Sequence, residues 1–160
     1  MTIGFDLDGV ISLLPFGFKQ IYQKAKGEEV FWRLQSSKWL QKFYNFFFRK
    51  PNEEIWRLMK LYKENGHRVI AISAASETSC EETVKWLKHH RFCLDLLHLR
   101  TSLLESVVAF KRRILKKENC DLYLEDKEKI VKELNLLINP CKILLYRPGR
   151  ISELFKILTR

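Results

Sequence analysis

Apolar residues fall along this chain in short, often β-branched runs separated by longer segments of helical period. The first run, Ile3 to Val10, is interrupted by Asp6 and Asp8 and broken at Gly9. Side chains alternate on a strand, so both carboxylates are expected to leave it on one face, at its C-terminal end. Arg68 to Ile72 reads as a second strand, buried on both sides and ending in Ser73. Leu94 to Leu99, Asp121 to Leu124 and Lys142 to Tyr146 supply three more. Asn52 is placed to cap a helix with Glu53 and Glu54 in its first turn, a buried stripe of Ile55, Leu58, Met59 and Tyr62, and Gly66 past its end. Further helices are predicted over Glu77 to His90 (Val84 and Leu87 inward), Leu104 to Lys117, Lys127 to Leu137 and Ile151 to Leu158. Five strands alternating with helices predict an α/β fold, a parallel five-stranded sheet with right-handed crossovers and helices on both faces.

The stretch between the first two strands is too long for a plain crossover. It reads as a small helical cap, residues 11–50, inserted into a core of residues 1–10 and 51–160, over the sheet edge where open α/β folds bind ligands. The cap is crowded with aromatics. Trp39, Phe43, Phe46 and Phe47 follow the spacing of one helix face, widened by Leu40, Tyr44 and Phe48. The plain expectation is that these rings form the cap's own core and its contact with the sheet domain. A ring stacked on a nucleobase and an amphipathic membrane-surface face are the alternatives.

Composition sharpens this picture in one respect. The chain has 160 residues, 46% hydrophobic and 30% charged, as expected of one soluble domain, and no apolar run approaches a membrane span. No signal peptide is read ahead of the first strand, and Cys80, Cys93, Cys120 and Cys141 are too scattered for a zinc or disulfide framework. A cytoplasmic protein with reduced thiols is expected. The formal charge is +10, and residues 11–50 hold eight basic residues against two acidic ones. That imbalance favours an anionic partner: a phosphorylated substrate, a nucleic acid or an acidic membrane face. The bland reading is a basic, lysine-rich protein background.

Polar groups recur where the predicted strands end. The first ends in Asp6 and Asp8, the second in Ser73 followed by the small residues Ala74 and Ala75, and the fourth in Glu125 and Asp126. Lys111 precedes Asp126 by fifteen positions. In a parallel sheet these ends converge on one crevice. Taken singly, each has an ordinary structural explanation: an Asp-Gly turn, a helix-capping Ser, a solvated Lys, an acidic helix cap. Together, and in this order, Phe5-Asp6-Leu7-Asp8-Gly9-Val10, Ile72-Ser73, Lys111 and Leu124-Glu125-Asp126 resemble the four motifs of the haloacid dehalogenase-like (HAD) phosphohydrolases. Ile72-Ser73-Ala74-Ala75, Glu82 to Leu87 and Leu144-Leu145-Tyr146-Arg147-Pro148 look most like the small cytosolic 5'-nucleotidase (deoxyribonucleotidase) branch.

The resemblance implies a HAD-like Rossmannoid three-layer sandwich and Mg2+-dependent hydrolysis of a phosphomonoester. It implies Asp6 as nucleophile, forming an aspartyl-phosphate, and Asp8 as general acid and then base. Ser73, the Ala74 amide and Lys111 would hold the phosphoryl group. The metal would be held by Asp6, the Asp8 carbonyl, Asp126 and, directly or through water, Glu125. The pattern departs from the family where a further Asp is usual, since Lys129 and Ile130 stand there. Arg112, Arg113, Lys116 and Lys117 compete with Lys111 for the lysine role, and spacing favours Lys111. His67, His89, His90 and His98 show no ligand spacing. A nucleoside monophosphate leads as substrate. A nucleic-acid 3'-phosphate end and a non-catalytic binding role are the alternatives.

Overall fold

A computed structural model describes residues 1–13, 37–138 and 140–149. Of the expected cap, only residues 11–13 and 37–50 fall within it, and the helices expected before Ser37 and after Gly149 lie outside. The central sheet has strands β1 (Thr2–Asp6), β4 (Arg68–Ser76), β5 (Leu96–Arg100), β6 (Leu122–Glu125) and β7 (Lys142–Leu145) in the order β5-β4-β1-β6-β7, all parallel. The order reverses at β1, which places the binding crevice of such a sheet at its C-terminal end.

Strand alternation divides the core into two layers. Ile3, Phe5, Val69, Ala71, Leu122 and Leu124 face helices α2 (Glu53–Glu64) and α3 (Cys80–His89), packing on Ile55, Leu58, Met59, Trp86 and Leu87. Ile70, Ile72, Tyr123 and Ile143 face α4 (Val107–Lys117) and α5 (Glu128–Leu137) through Phe110, Ile114, Val131 and Leu134. The result is a three-layer sandwich, with helices on both faces of the sheet. A two-stranded antiparallel ribbon, β2 (Ser12–Leu13) with β3 (Lys50–Pro51), carries the chain out of the core and back, and α1 (Lys38–Phe47) precedes its return strand.

Four local expectations are corrected. The first strand stops at Asp6, so strand alternation does not extend to Asp8, which lies in the following turn with an isolated bridge to Ser12. The second strand does not end at Ser73 but runs to Ser76. Its pairing with β5 jumps from Ser73↔Leu99 to Ser76↔Arg100, so that Ala74 and Ala75 bulge out, a device common beside active sites. Asn52 has an N-cap backbone conformation but makes no cap bond; its amide instead donates to the Val10 carbonyl and the Tyr146 hydroxyl, each at 2.7 Å. Finally, Trp39, Phe43 and Phe47 do not form a core: they are exposed on the outer side of α1, with ring centroids 5.8 and 4.6 Å apart, while the polar Gln41 and Asn45 turn inward.

Candidate active site

The C-terminal ends of the adjacent strands β1 and β6 bring Asp6, Glu125 and Asp126 together. One carboxylate oxygen from each lies within 4.8 Å of the others, and all three residues are buried. Lys111 comes from α4, whose N-cap Ser106 accepts a hydrogen bond from the Ala109 amide. Its Nζ donates to Asp6 Oδ1 at 2.7 Å and to Glu125 Oε2. Of the rival basic residues, Arg113 turns away to a bidentate pair with Glu105. Lys111 is the one that reaches the site.

With every carboxyl ionised, three carboxylates and one ammonium give this buried cluster a formal excess of two negative charges. Burial first, then the Glu125 carboxylate, push Asp6 up to about 8. Burial alone would lower Lys111, yet Asp6 and Glu125 more than offset it and hold its ammonium charged. Hard oxygen donors with an excess of two negative charges suit a small divalent cation, so the residues present fit Mg2+. Their roles in that fit differ. Glu125 is already occupied: Oε2 accepts from Lys111 and from Tyr123 Oη at 3.2 Å, and Oε1 accepts from the Lys127 amide at 3.2 Å. Glu125 thus orients Lys111 as well as offering an oxygen to the cluster, and Asp6 meets the same ammonium through Oδ1. Burial and the nearby Glu125 and Asp6 charges raise Tyr123 well above its ordinary value, which keeps it a neutral donor.

Gly9 makes the close approach of Asp126 possible. A Cβ at position 9 would stand 2.3 Å from Asp126 Oδ2, and the backbone there has φ +103°, outside the range of other residues. Gly9→Ala is therefore expected to cost about 1–3 kcal/mol in backbone strain alone and to displace the Asp126 carboxylate. A thermal melt, with and without Mg2+, should show a lower Tm and a smaller Mg2+-induced rise than wild type. An unchanged Mg2+ response would remove Asp126 from the ligand set.

Asp8 is half-buried, with Oδ1 held by Arg49 Nη2 at 2.8 Å and close to Ser12 Oγ at 3.1 Å. Ser73, one position past the strand partner of Asp6, is buried, and its Oγ accepts from the Ala75 amide at 3.1 Å, leaving its proton to be donated. Ala74, between them, is half-buried. The acidic pair is fastened from β7: the Tyr146 amide donates to the Glu125 carbonyl at 2.7 Å and Arg147 to the Asp126 carbonyl at 3.0 Å.

Arg49, Ser12 and Tyr123 went unseen in the sequence. Ser12 and Tyr123 carry no local signal. Arg49 had one, as a basic residue closing an aromatic run just before Pro51, where the chain re-enters the core.

No family model matches the chain, and no curated protein matches it. Solved structures do. A chain of the Pnkp1/Rnl/Hen1 complex is similar over 91% of this chain with 17% identity and a TM-score of 0.65. This chain spans 45% of that one, under half its length. A HAD family enzyme from Bacteroides thetaiotaomicron, BT-2542, an aspartate-to-alanine mutant in complex with magnesium and inorganic phosphate, matches 96% of this chain and 98% of its own at 14% identity and TM-score 0.64. The class C acid phosphatase from Bacillus anthracis matches 92% of this chain and 66% of its own at 16% identity and TM-score 0.55. At these identities the likeness is one of fold. The fold is HAD-like.

Proposed function

We propose that this chain is a phosphomonoester hydrolase that uses a divalent cation, with Mg2+ the expected ion, and works through an aspartyl-phosphate on Asp6. The observation that carries the reading is the buried cluster of Asp6, Glu125 and Asp126 with Lys111 across it, at the C-terminal ends of the central strands. That a structural neighbour is an enzyme with magnesium and phosphate bound lends it support.

Asp6 Oδ1 is engaged by Lys111, so Oδ2 is the oxygen left to attack phosphorus. The bond from Asp6 to phosphorus forms as the ester P–O bond breaks. Asp8 delivers a proton to the departing alkoxide, then takes one from the water that releases inorganic phosphate. Ser73 and the Ala74 amide donate to the phosphoryl oxygens from the bulged end of β4, and Lys111 offsets their charge. A bound divalent cation would screen the repulsion between carboxylate and phosphate dianion. Residues 11–50 act as a cap over the crevice, excluding water until the leaving alcohol has gone.

Colorimetric phosphate release across nucleoside monophosphates, sugar phosphates and other small esters tests this directly. Activity should require Mg2+ and vanish with chelator. Chelator-insensitive activity, or none on the whole panel, would sink the reading. Nucleoside monophosphates are the leading class.

A second reading has its own observation. The exposed Trp39-Phe43-Phe47 ladder lies in a basic segment, a combination suited to stacking the bases of a polynucleotide whose 3'-phosphate enters the site. A chain in the Pnkp1/Rnl/Hen1 RNA repair complex shares the fold. Salt separates the two readings. With an oligonucleotide 3'-phosphate, kcat/KM should fall roughly tenfold or more between 50 and 200 mM salt, whereas a mononucleotide should lose only a fewfold.

A further inference from the structure

Arg49 is a buried charge that the chemistry above does not use. It directly follows the turn that ends α1 and lies next to β3. Its guanidinium makes three separate contacts: Nη2 to Asp8 Oδ1 at 2.8 Å, Nε to Ser12 Oγ at 3.3 Å and Nη1 to Asn45 Oδ1 at 3.2 Å. Its plane lies 4.9 Å from the Trp86 ring centroid on α3, and the Trp86 indole donates to the Arg49 carbonyl at 3.3 Å. Asn45 in turn donates to the Glu82 carbonyl on the same helix. The side chain is thus fixed from the cap, the ribbon and the core at once. A surface salt bridge has no such anchoring.

Both polar contacts to Asp8 converge on Oδ1. Among the described residues, none is made to Oδ2. We propose that Arg49 is a positioning residue for Asp8: it pins Oδ1, beside a Ser12 hydroxyl whose single proton is shared with the Leu7 carbonyl, and so presents Oδ2 as the atom that exchanges the proton. The assignment rests on the phosphatase reading and sharpens it, separating the carboxylate's held oxygen from its working one.

Two substrates test this. An alkyl phosphate needs a proton on its leaving alkoxide, whereas p-nitrophenyl phosphate expels a stable phenolate. kcat/KM reports only the steps through loss of the leaving group, so the later hydrolysis does not obscure it. Asp8→Asn is made first and should lower kcat/KM on glycerol phosphate by about 10²-fold or more while leaving p-nitrophenyl phosphate within about threefold. Arg49→Lys keeps the charge but replaces the three-way fork with one nitrogen, and is expected to show the same selectivity. The double variant should be no slower on glycerol phosphate than Asp8→Asn alone, because one residue acts through the other.

Equal losses on both substrates, or losses that multiply in the double variant, would overturn the assignment and make Arg49 a packing residue. A raised KM on both substrates would overturn it too, placing Arg49 on the substrate itself. If melting curves show that Arg49→Lys does not fold, Asn45→Ala is read by the same comparison, since it loosens the fork from the exposed side. An unselective Asp8→Asn would count against the acid role of Asp8, a failure distinct from selective Asp8→Asn beside unselective Arg49→Lys.

Discussion

Asp6→Asn should lower phosphate release by at least about 10⁴-fold, as removal of an attacking nucleophile does, while leaving the fold intact. The substitution is nearly isosteric, and the amide oxygen can still accept from Lys111, which now stands at 2.7 Å from Oδ1. What is lost is the nucleophile and one of three clustered negative charges. Rate alone does not separate those two losses, so the decisive measurement is a single-turnover acid quench with a labelled phosphoester. Wild type should carry label on the protein, on an acid-stable, hydroxylamine-labile acyl phosphate; Asp6→Asn should carry none even at saturating Mg2+. If saturating Mg2+ restores turnover to the variant, Asp6 is only a ligand. If wild type turns over without a labelled intermediate, water attacks directly and the covalent route is wrong.

The fold was legible because its signals are local and repeated. β-branched runs between segments of helical period mark a parallel sheet wherever they stand, and the stripe Ile55, Leu58, Met59 and Tyr62 packs as its spacing requires. The gathering of Asp6, Glu125 and Asp126 was legible too, because a parallel sheet carries every strand's C-terminal end to one edge; Lys111, on a helix, was singled out by its spacing from Asp126.

Other features depend on contacts that no spacing encodes. Asp8 was expected to share a face with Asp6, yet the strand stops two residues before it, at Asp6, and the neighbours of Asp8 arrive from positions 12 and 49. Asn52 has the residue type and backbone of a cap, but a carbonyl and a phenol compete for its amide. The aromatic run predicted a buried face, and tertiary packing turned the polar side inward, where Asn45 and Arg49 find partners on α3 and the ribbon. The bulge after Ser73 leaves no mark on the strand pattern, since Ala74 and Ala75 suit a strand as well as a turn.

Removing the metal should make stability fall as pH rises, against the usual trend for a carboxylate-rich protein. Asp6 has an ordinary value of 3.8, and burial with its acidic neighbours raises it to about 8 in the folded state. Between those values the folded protein holds a proton that the unfolded chain releases, so the folded form is favoured at the acid end. That stability is fully present below about pH 4 and is lost as pH climbs through about 8, with a slope approaching 1.4 kcal/mol per pH unit and a total on the order of several kcal/mol. His90 and His98, both lowered by burial, act in the opposite direction near pH 6, since they charge more readily once unfolded. Subtracting the same curve for Asp6→Asn, which retains both histidines and lacks the carboxyl, isolates the Asp6 contribution. In chelator, the Tm of wild type should drop relative to Asp6→Asn from pH 5.5 to 8.5. Millimolar Mg2+ should restore wild type most at the alkaline end, because a dication replaces the missing proton against the same two excess charges. Parallel curves for the two proteins in chelator would mean that Asp6 is ionised throughout, with Lys111 alone sufficient to hold it, and the electrostatic case for a divalent cation at this cluster would fall.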